Sequence, residues 1–291
     1  MHKIGIIGAG KVGVSIGKSI SEDENYKLVG FYSRTKESSN FAAKFTNSAK
    51  FINLEKLVEK CNILIITTPD DKISEMWSLV SQFNIQNKII CHCSGSLSSE
   101  IFFDISSKGA YGCSLHPMMA INSKDKSYKD LKNAFFTLEG EKNAIDVMQD
   151  ILIKFNNNYK IIKTSDKTKY HMASVFVSNF VTGLANVSAN LLKDYGFNEK
   201  EAINAFSFLA RANIENLLSS DPKSALTGPI ERNDIGIVRK HLISLNEKSL
   251  ENVENIYRGL SIELVKIASE KHKDRDYKEL TNLLKKGEVN Y

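Results

Sequence analysis

A chain of 291 residues is long enough to bury a full core, and domains of about 100 to 200 residues predict two of them here. The hydrophobic share of 42% and the charged share of 25% are ordinary for a globular protein, which excludes a disordered or fibrous chain. The net charge of +5 is spread along the chain, and no basic cluster is interleaved with aromatic residues, so nucleic-acid binding is not favoured.

The amino-terminal segment predicts a strand, a glycine-rich turn and a helix. Residues 8–13 read GAGKVG and match the pattern G-x-G-x-x-G. In that pattern the first glycine permits a tight turn, the second lets a pyrophosphate approach the backbone, and the third lets the helix pack on the strand. Free N–H groups at the helix N-terminus attract the anion. A glycine turn without a ligand is the alternative. We expect a dinucleotide here, bound by Gly8, Gly10, Lys11, Val12 and Gly13.

The second predicted strand ends in a basic and polar cluster. Residues 28–36 read LVGFYSRTK and contain no acid, although an NAD-dependent enzyme usually places one about 20 residues after the glycine motif. Such an acid repels a 2′-phosphate, whereas Ser33, Arg34 and Thr35 offer a guanidinium and two hydroxyls to it. An exposed arginine in a turn is the alternative. The pattern favours NADP over NAD.

Apolar runs then alternate with helical segments as far as residue 162, which is typical of a parallel sheet covered on both faces. Ligands of such sheets bind beyond the carboxyl ends of the strands. Three strand ends carry polar motifs, with Thr68 and Pro69 at the first, Ser94 at the second and His116 at the third. A turn, a helix cap and a surface loop are the ordinary alternatives, but the shared edge predicts one crevice.

The four cysteines, at positions 61, 91, 93 and 113, fall in the first half of the chain. The C-x-C spacing of two of them on a predicted strand lacks the loop spacing of a zinc site and is unsuited to a disulfide. We expect free core cysteines and no metal site. The first apolar run is too short for a signal peptide, so a reducing cytoplasm is the expected location.

Residues 170–192 form a helical pattern without one charged side chain. The length suits a membrane span, but a histidine and three asparagines are costly in lipid, and we expect no membrane insertion. Polar side chains share one arc of this helix and apolar side chains share the opposite arc. Such a helix suits the centre of an all-helical domain, with one side in the core and the other facing a cleft or a partner subunit. We expect a homodimer formed through this domain.

The rest of the chain is predicted to be helical, with one loop, SSDPKSALTGPIERND, that carries two of the four prolines. Thr227, Arg232 and Asp234 in this loop are candidate substrate contacts, although Asp234 is equally suited to cap the next helix. We therefore predict a dinucleotide-binding domain over residues 1–164 and a helical substrate and dimerisation domain over residues 165–291.

Six motifs in order carry a resemblance to a known family: the glycine motif, HCSGSLSSEIF, GCSLHPMM, FFTLEG, KYHMASVFVSNF and ALTGPIERND. The chain resembles a family of Rossmann-like NADP oxidoreductases that have a C-terminal helical domain of unknown function. This family is commonly grouped with the deazaflavin-dependent NADP oxidoreductases and the pyrroline-5-carboxylate reductases. The resemblance implies an α/β fold, in which a doubly wound parallel Rossmann sheet precedes an all-helical domain like that of 6-phosphogluconate dehydrogenase. It implies NADP as cofactor, but no particular substrate.

Two wider groups of relatives bear on the chemistry. β-Hydroxyacid dehydrogenases carry a catalytic lysine followed four residues later by an asparagine, whereas here Lys167 is followed at that spacing by His171. Direct transfer of their mechanism is therefore not expected. Prephenate dehydrogenases have a His-Pro motif that is similar to His116-Pro117, which makes a prephenate-like or arogenate-like substrate an alternative.

The sequence as a whole predicts an NADP-dependent oxidoreductase that transfers a hydride to or from a small carbonyl, imine or alcohol. Hydride transfer to a carbonyl requires a proton donor, and His171, in preference to His116, is expected to supply that proton. Asn179 and Ser94 are expected to orient the substrate or to stabilise charge on its oxygen. For His171 a hydrogen-bonded core histidine is the alternative, and for the whole chain the alternative is a non-catalytic NADP sensor.

Overall fold

The structure, a computed structural model, describes residues 1–285. The chain divides into two compact units, of which the first is Met1–Phe180 and the second begins at Val181. Residues 286–291, the end of the predicted helical domain, lie outside the described part.

Eight strands form the sheet of the first unit: β1 His2–Ile7, β2 Tyr26–Tyr32, β3 Ala49–Phe51, β4 Ile63–Ile66, β5 Ile89–His92, β6 Tyr111–Met118, β7 Phe135–Gly140 and β8 Tyr159–Ile161. Their order across the sheet is β3-β2-β1-β4-β5-β6-β7-β8. The first six strands run parallel to one another, β7 is antiparallel to β6, and β8 is parallel to β7. The predicted Rossmann sheet is confirmed, with one antiparallel junction that the alternation of elements does not reveal.

Helices cover both faces of this sheet: α1 Lys11–Ser21, α2 Lys36–Phe45, α3 Leu54–Lys60, α4 Asp70–Val80, α5 Tyr128–Leu131, α6 Lys142–Lys154 and α7 Lys167–Val177. Side chains alternate along β1, so Ile4 and Ile6 pack with residues of α1 and α6, whereas Ile7 packs with residues of α3 and α4. Trp77 of α4 is fully buried in the second of these clusters. Burial on both faces explains why the strands read as continuous apolar runs.

The strand register brings the carboxyl ends of the central strands to one edge of the sheet. Ile7 of β1 is paired with Ile66 of β4, Ile66 with His92 of β5, and His92 with Ser114 of β6. The segments that follow these residues therefore begin at the same level. They carry the glycine loop and the polar strand ends predicted from the sequence.

The uncharged stretch is two helices rather than one, because α7 ends at Val177 and α8, Asn179–Lys193, begins after Ser178. Ser178 has φ −119° and ψ −77°, and its hydroxyl donates to the carbonyl of Ser174 at 2.6 Å, a kind of bond that bends helices. By length and composition, Thr164–Lys193 is the one helical stretch of the described residues that could cross a membrane. The absence of membrane insertion stays a prediction.

Helix α7 belongs to the first compact unit, which therefore extends beyond the boundary predicted at residue 164. The helix packs on the sheet through Lys167, Tyr170 and His171, whose side chains contact residues of β6. The domain boundary at residue 164 stays a prediction.

The described residues of the second unit are helical, as predicted: α9 Glu199–Ser219, α10 Pro222–Ala225, α11 Ile235–Ser244, α12 Glu251–Lys271 and α13 Lys278–Leu284. Asn198 and Glu201 form a capping box at the start of α9, and Asp234 caps α11. Arg258 of α12 is buried and donates to backbone carbonyls at the end of α13. These bonds satisfy carbonyl groups that the end of a helix leaves unpaired.

Candidate functional site

The glycine loop is held in place by Thr67, the residue that follows β4. The Thr67 hydroxyl lies 3.0 Å from the carbonyl oxygen of Gly8 and 3.2 Å from that of Ile7, and it donates to them. Gly8 has φ +108°, which favours glycine, and a Cβ added to Gly13 would lie 2.3 Å from the Gly8 oxygen. Backbone packing alone therefore requires glycine at the first and third positions of the motif.

The middle glycine differs, because a Cβ added to Gly10 would meet no atom within 4 Å. Gly10 is the N-cap of α1, and no side chain caps the helix there. The first turn contains no acid, and it holds the exposed Lys11 and the half-buried Val12. An open backbone, free N–H groups and a lysine fit the pyrophosphate of a dinucleotide.

The cluster after β2 has groups that fit a phosphate. Arg34 is exposed, and it forms no salt bridge with any carboxylate of the described residues. The Thr35 hydroxyl accepts from the N–H of Ser38 at 3.4 Å as the cap of α2, which leaves its hydrogen free to donate. Ser33 is half-buried beside them. A guanidinium and two hydroxyls next to a helix N-terminus suit the 2′-phosphate of NADP.

Helix α7 presents one polar face to the sheet, since Lys167, Tyr170, His171 and Ser174 stand at positions i, i+3, i+4 and i+7. Only 2% of the surface of Lys167 is exposed, and its ammonium group donates to the hydroxyl of Ser114 on β6. Lysine is almost never buried to this extent unless other groups compensate its charge. The face therefore carries a buried ammonium group, a phenol hydroxyl and an imidazole.

His116, near the end of β6, lies against two rings of this face. Its Nδ1 is 2.7 Å from the Tyr170 hydroxyl, and its ring centroid is 6.4 Å from that of His171. A Cβ added to Gly95 would lie 2.8 Å from His116 Nε2 and 2.7 Å from His171 Nδ1. Two imidazole nitrogens thus converge beside Gly95, where no side chain separates them.

Several buried polar atoms of the first unit have no partner among the described residues. The hydroxyl of Thr68, the Nδ1 of His171 and the hydroxyl of Ser174 make no hydrogen bond with any residue that the structure describes. The Ser174 hydroxyl lies near enough to Tyr170 to oppose the rise in the Tyr170 pKa that burial causes, but the two groups lack the geometry of a hydrogen bond. Since buried polar atoms are nearly always paired, these three are candidate contacts for a bound molecule.

The charge state of His116 follows from its surroundings. Burial, together with Lys167 and His171, lowers the pKa of His116 to about 4, and Asp70 acts in the opposite direction. At neutral pH His116 is therefore an uncharged imidazole, which can accept a proton or take part in a hydrogen bond. It is not an imidazolium that could act as a general acid.

Ser94 organises the turn after β5. Its hydroxyl donates to Asp70 at 2.7 Å, and it accepts from the N–H groups of Ser96 at 3.1 Å and Leu97 at 3.0 Å. These bonds fix the turn that holds Gly95 against the two imidazoles. Because protein groups already engage the Ser94 hydroxyl, its contact with a substrate is less direct than expected and stays a prediction.

The other predicted contacts also stay predictions. Asn179 is exposed at the start of α8, and its amide oxygen accepts from the hydroxyl of Ser178 at 3.0 Å. Pro69 is exposed immediately before α4. In the second unit the polar residues of the proline-containing loop have separate settings, with Thr227 and Arg232 exposed and Asp234 used as the cap of α11.

The cysteines have no neighbours that suggest metal binding. All four are free, and among residues 1–285 no group of three or more His, Cys, Asp or Glu side chains could hold a metal ion. Burial raises the pKa of Cys93 to about 12, so its thiol stays protonated. The predicted absence of a metal site stays a prediction.

Sequence reasoning misses Lys167, Tyr170 and Ser114 as members of this group. The helical spacing of Lys167 and Tyr170 with His171 was a usable signal, as was the position of Ser114 two residues before His116 on the same strand. A search for a lysine followed four residues later by an asparagine does not select Lys167, because the residue at that spacing is His171. Burial of a lysine is a tertiary property that no local pattern reveals.

Comparison with known protein families gives matches to two parts of the chain. A Rossmann-like domain matches residues 1–117, and a domain of unknown function, DUF2520, matches residues 134–264. The chain therefore combines a Rossmann-like domain with a DUF2520 domain.

Solved structures share this fold over most of the chain. The protein TM1727 from Thermotoga maritima is 22% identical, with a TM-score of 0.74 over 92% of this chain and 99% of that one. A pyrroline carboxylate reductase from Plasmodium falciparum with NADP bound is 16% identical, with a TM-score of 0.60 over 94% of this chain and 97% of that one. These likenesses show the fold of the chain.

A curated relative matches a shorter part. An L-aspartate dehydrogenase from Methanocella arvoryzae is 33% identical over 78 residues, which are 26% of this chain. The match spans 29% of the length of that relative. It is a partial similarity to an oxidoreductase.

Proposed function

We propose that the protein is an NADP-dependent oxidoreductase that transfers a hydride to or from a small carbonyl, imine or alcohol. The observation that carries this proposal is the convergence of His116 Nε2 and His171 Nδ1 beside Gly95. The parallel strands end at the same level there as at the glycine loop. A reaction that moves a hydride also moves a proton, and imidazoles beside the coenzyme can handle that proton.

Separate groups of residues would hold the parts of the coenzyme. The glycine loop and the N-terminus of α1 would bind the pyrophosphate, and the cluster Ser33–Thr35 would bind the 2′-phosphate. Thr68 and Pro69 would border the nicotinamide, where the unpaired hydroxyl of Thr68 finds a partner. When bound, NADPH supplies the hydride.

The two histidines have different proposed roles. In a reduction, His171 donates a proton to the oxygen or nitrogen of the reacting bond, and uncharged His116 orients that atom. In an oxidation, His116 accepts the proton of the substrate. Tyr170 engages Nδ1 of His116, so Nε2 is the nitrogen that faces the substrate. Asn179 is proposed to assist in orienting it.

The comparisons support the reaction class. One protein of similar fold is a pyrroline carboxylate reductase with NADP bound, and the partial sequence relative is an L-aspartate dehydrogenase. A spectrophotometric screen of carbonyl, imine and alcohol compounds tests the proposal. At least one compound should cause oxidation of NADPH or reduction of NADP, and tight NADPH binding without turnover of any compound contradicts it.

The variant Arg34→Asp should change the coenzyme preference from NADPH towards NADH. The guanidinium that would pair with the 2′-phosphate is lost, and a carboxylate that repels this phosphate and accepts from a ribose hydroxyl takes its place. We expect the Kd for NADPH to rise roughly tenfold to a hundredfold, since hydrogen bonds to charged groups contribute about 1.5 to 3 kcal/mol. Isothermal titration calorimetry with both coenzymes measures the effect.

Lys27→Asp is the matched control, because it makes the same change of charge at the opposite end of β2, where Lys27 is exposed. This control should leave the ratio of the two affinities unchanged. Equal losses of NADPH affinity in both variants would mean that the effect comes only from the net charge of the protein. An unchanged ratio of NADPH to NADH affinity in Arg34→Asp would remove the support for NADP.

A homodimer is proposed as the working form. Helix α9 exposes large apolar side chains, with Phe208 82% and Leu218 80% exposed, and α8 exposes Phe180 and Leu184. Single chains rarely leave contiguous apolar faces in water, and a second copy of the chain is the proposed cover. Light scattering at micromolar concentration should give twice the mass of 32.6 kDa, and a monomer would contradict the proposal. The cytoplasmic location stays a prediction.

A further inference from the structure

Lys167 carries a charge in a place where a charge is costly. Its surface is 2% exposed, its ammonium group donates to Ser114, and that group lies 5.8 Å from the centroid of the Tyr170 ring. Removing an ammonium group from water costs free energy even when partners compensate part of it. An uncharged side chain of similar length would fill the same space without this cost, so the charge itself requires an explanation.

We propose that the buried ammonium group of Lys167 helps to keep His116 uncharged in mildly acidic solution, which makes Lys167 a positioning residue of the site. The inference rests on the proposed function, in which His116 faces the reacting atom. Ser114 and His116 are two residues apart on β6 and point to the same face of the sheet. The bond to Ser114 therefore holds the ammonium group beside the strand segment that carries His116.

Groups from several elements act on the charge of this imidazole. Those from α7 are Lys167, Tyr170 and His171, that from β5 is His92, and that from α4 is Asp70. Burial is the largest cause of the lowered pKa of His116, and Lys167 is the largest contribution from a charge. Asp70 raises this pKa and His92 lowers it, and both effects are smaller than that of Lys167.

Lys167 has buried surroundings of its own that act on its charge in opposite directions. Burial lowers the pKa of Lys167, and Glu139 is the largest influence that raises it, followed by Cys91, Cys93 and Asp70. Glu139 on β7 is fully buried. Its carboxyl group accepts from the hydroxyl of Ser99 at 2.6 Å and from that of Thr164 at 2.8 Å.

The consequence is an uncharged imidazole beside a buried ammonium group. A second positive charge next to Lys167 is unfavourable, so a proton on His116 is disfavoured while Lys167 keeps its own. An uncharged His116 can accept a proton from a substrate hydroxyl at neutral pH. Without Lys167 part of the His116 population would be protonated in mildly acidic solution, and that part could not act as the acceptor.

The test is a titration of the His116 ring by ¹⁵N NMR in the full chain and in Lys167→Met. The His116 pKa should rise by roughly one unit in Lys167→Met, because a like charge is removed, and it should stay low in Lys167→Arg, which keeps the charge. Lys169→Met is the matched control, since Lys169 is exposed on the same helix, and it should leave the His116 pKa unchanged. An unchanged pKa in folded Lys167→Met would overturn the inference.

A second pair of variants covers the case in which the single variant does not fold, because Lys167→Met removes the positive charge with which the buried Glu139 interacts. The double variant Lys167→Met/Glu139→Gln removes both charges, and Glu139→Gln alone is its reference. A His116 pKa that is roughly one unit higher in the double variant than in Glu139→Gln supports the inference. Equal His116 pKa values in the two variants overturn it. The titration does not depend on turnover, so a failed substrate screen would count against the proposed function and not against this result.

Discussion

Gly10→Ala should abolish tight NADPH binding and leave the fold intact. A Cβ at this position meets no atom of the protein within 4 Å, and the backbone of Gly10, with φ −78° and ψ −171°, is open to any residue. The methyl group would stand where the pyrophosphate approaches the backbone. We expect a Kd about a hundredfold higher, or about 2.8 kcal/mol, and a loss of folding stability of about 1 kcal/mol or less at this N-cap. Fluorescence titration with NADPH and urea unfolding measure the two quantities.

Two other glycines provide the comparison. In Gly259→Ala of α12 the added Cβ also meets no atom within 4 Å, and this variant should keep full NADPH affinity. In Gly13→Ala the Cβ would lie 2.3 Å from the Gly8 oxygen, so it should lose about 1 to 3 kcal/mol of stability through overpacking. If Gly10→Ala bound NADPH as tightly as the parent protein, the glycine loop would not be the pyrophosphate site.

Replacement of either histidine of the converging pair by glutamine should lower turnover about 10²-fold to 10⁴-fold, the range that a positioned proton-transfer group contributes. NADPH affinity should change little, because the proposed coenzyme contacts lie on the glycine loop and the Ser33–Thr35 cluster. For His171→Gln the loss should be greatest in the direction of reduction, and for His116→Gln in the direction of oxidation. Steady-state kinetics in both directions, with NADPH titrations alongside, measure these effects.

His241→Gln is the matched control for the histidine variants. His241 of α11 lies 2.9 Å from the hydroxyl of Tyr257, a pairing like that of His116 with Tyr170, but His241 is exposed and has no proposed role. Its replacement should leave turnover unchanged. Full activity in both His116→Gln and His171→Gln would exclude them as the proton-handling pair and would favour the non-catalytic sensor.

The features that the sequence predicts well depend on local patterns. Continuous apolar runs, the glycine motif and the Asn198/Glu201 capping box are each set by neighbouring residues, and the sheet, the α1 turn and the start of α9 follow from them. The antiparallel direction of β7 could not be predicted in this way, since the direction of a strand depends on the path of its connection. Nor does composition reveal the interruption at Ser178, which depends on how its hydroxyl bonds to the preceding turn.

The candidate site was predicted in part for the same reason. His116 and Ser94 could be placed at the ligand edge because each follows or ends an apolar strand. His116 and His171 converge beside Gly95. The three residues belong to segments that are far apart in sequence, so local patterns do not predict this contact. The low pKa of His116 likewise results from burial and from Lys167. Neither cause can be predicted from the residues next to His116 in the sequence.

The hydrogen bonds made by Thr67 bear on how the proposed coenzyme binds to the glycine loop. With the N–H of Gly8 also donating to the carbonyl of Tyr32 at 2.8 Å, the loop already has a fixed shape and need not be ordered by its ligand. A preorganised receptor gives up little conformational entropy on association, so more of the contact energy is retained as affinity. In the proposed enzyme, one coenzyme molecule would then replace another without the loop unfolding and forming again.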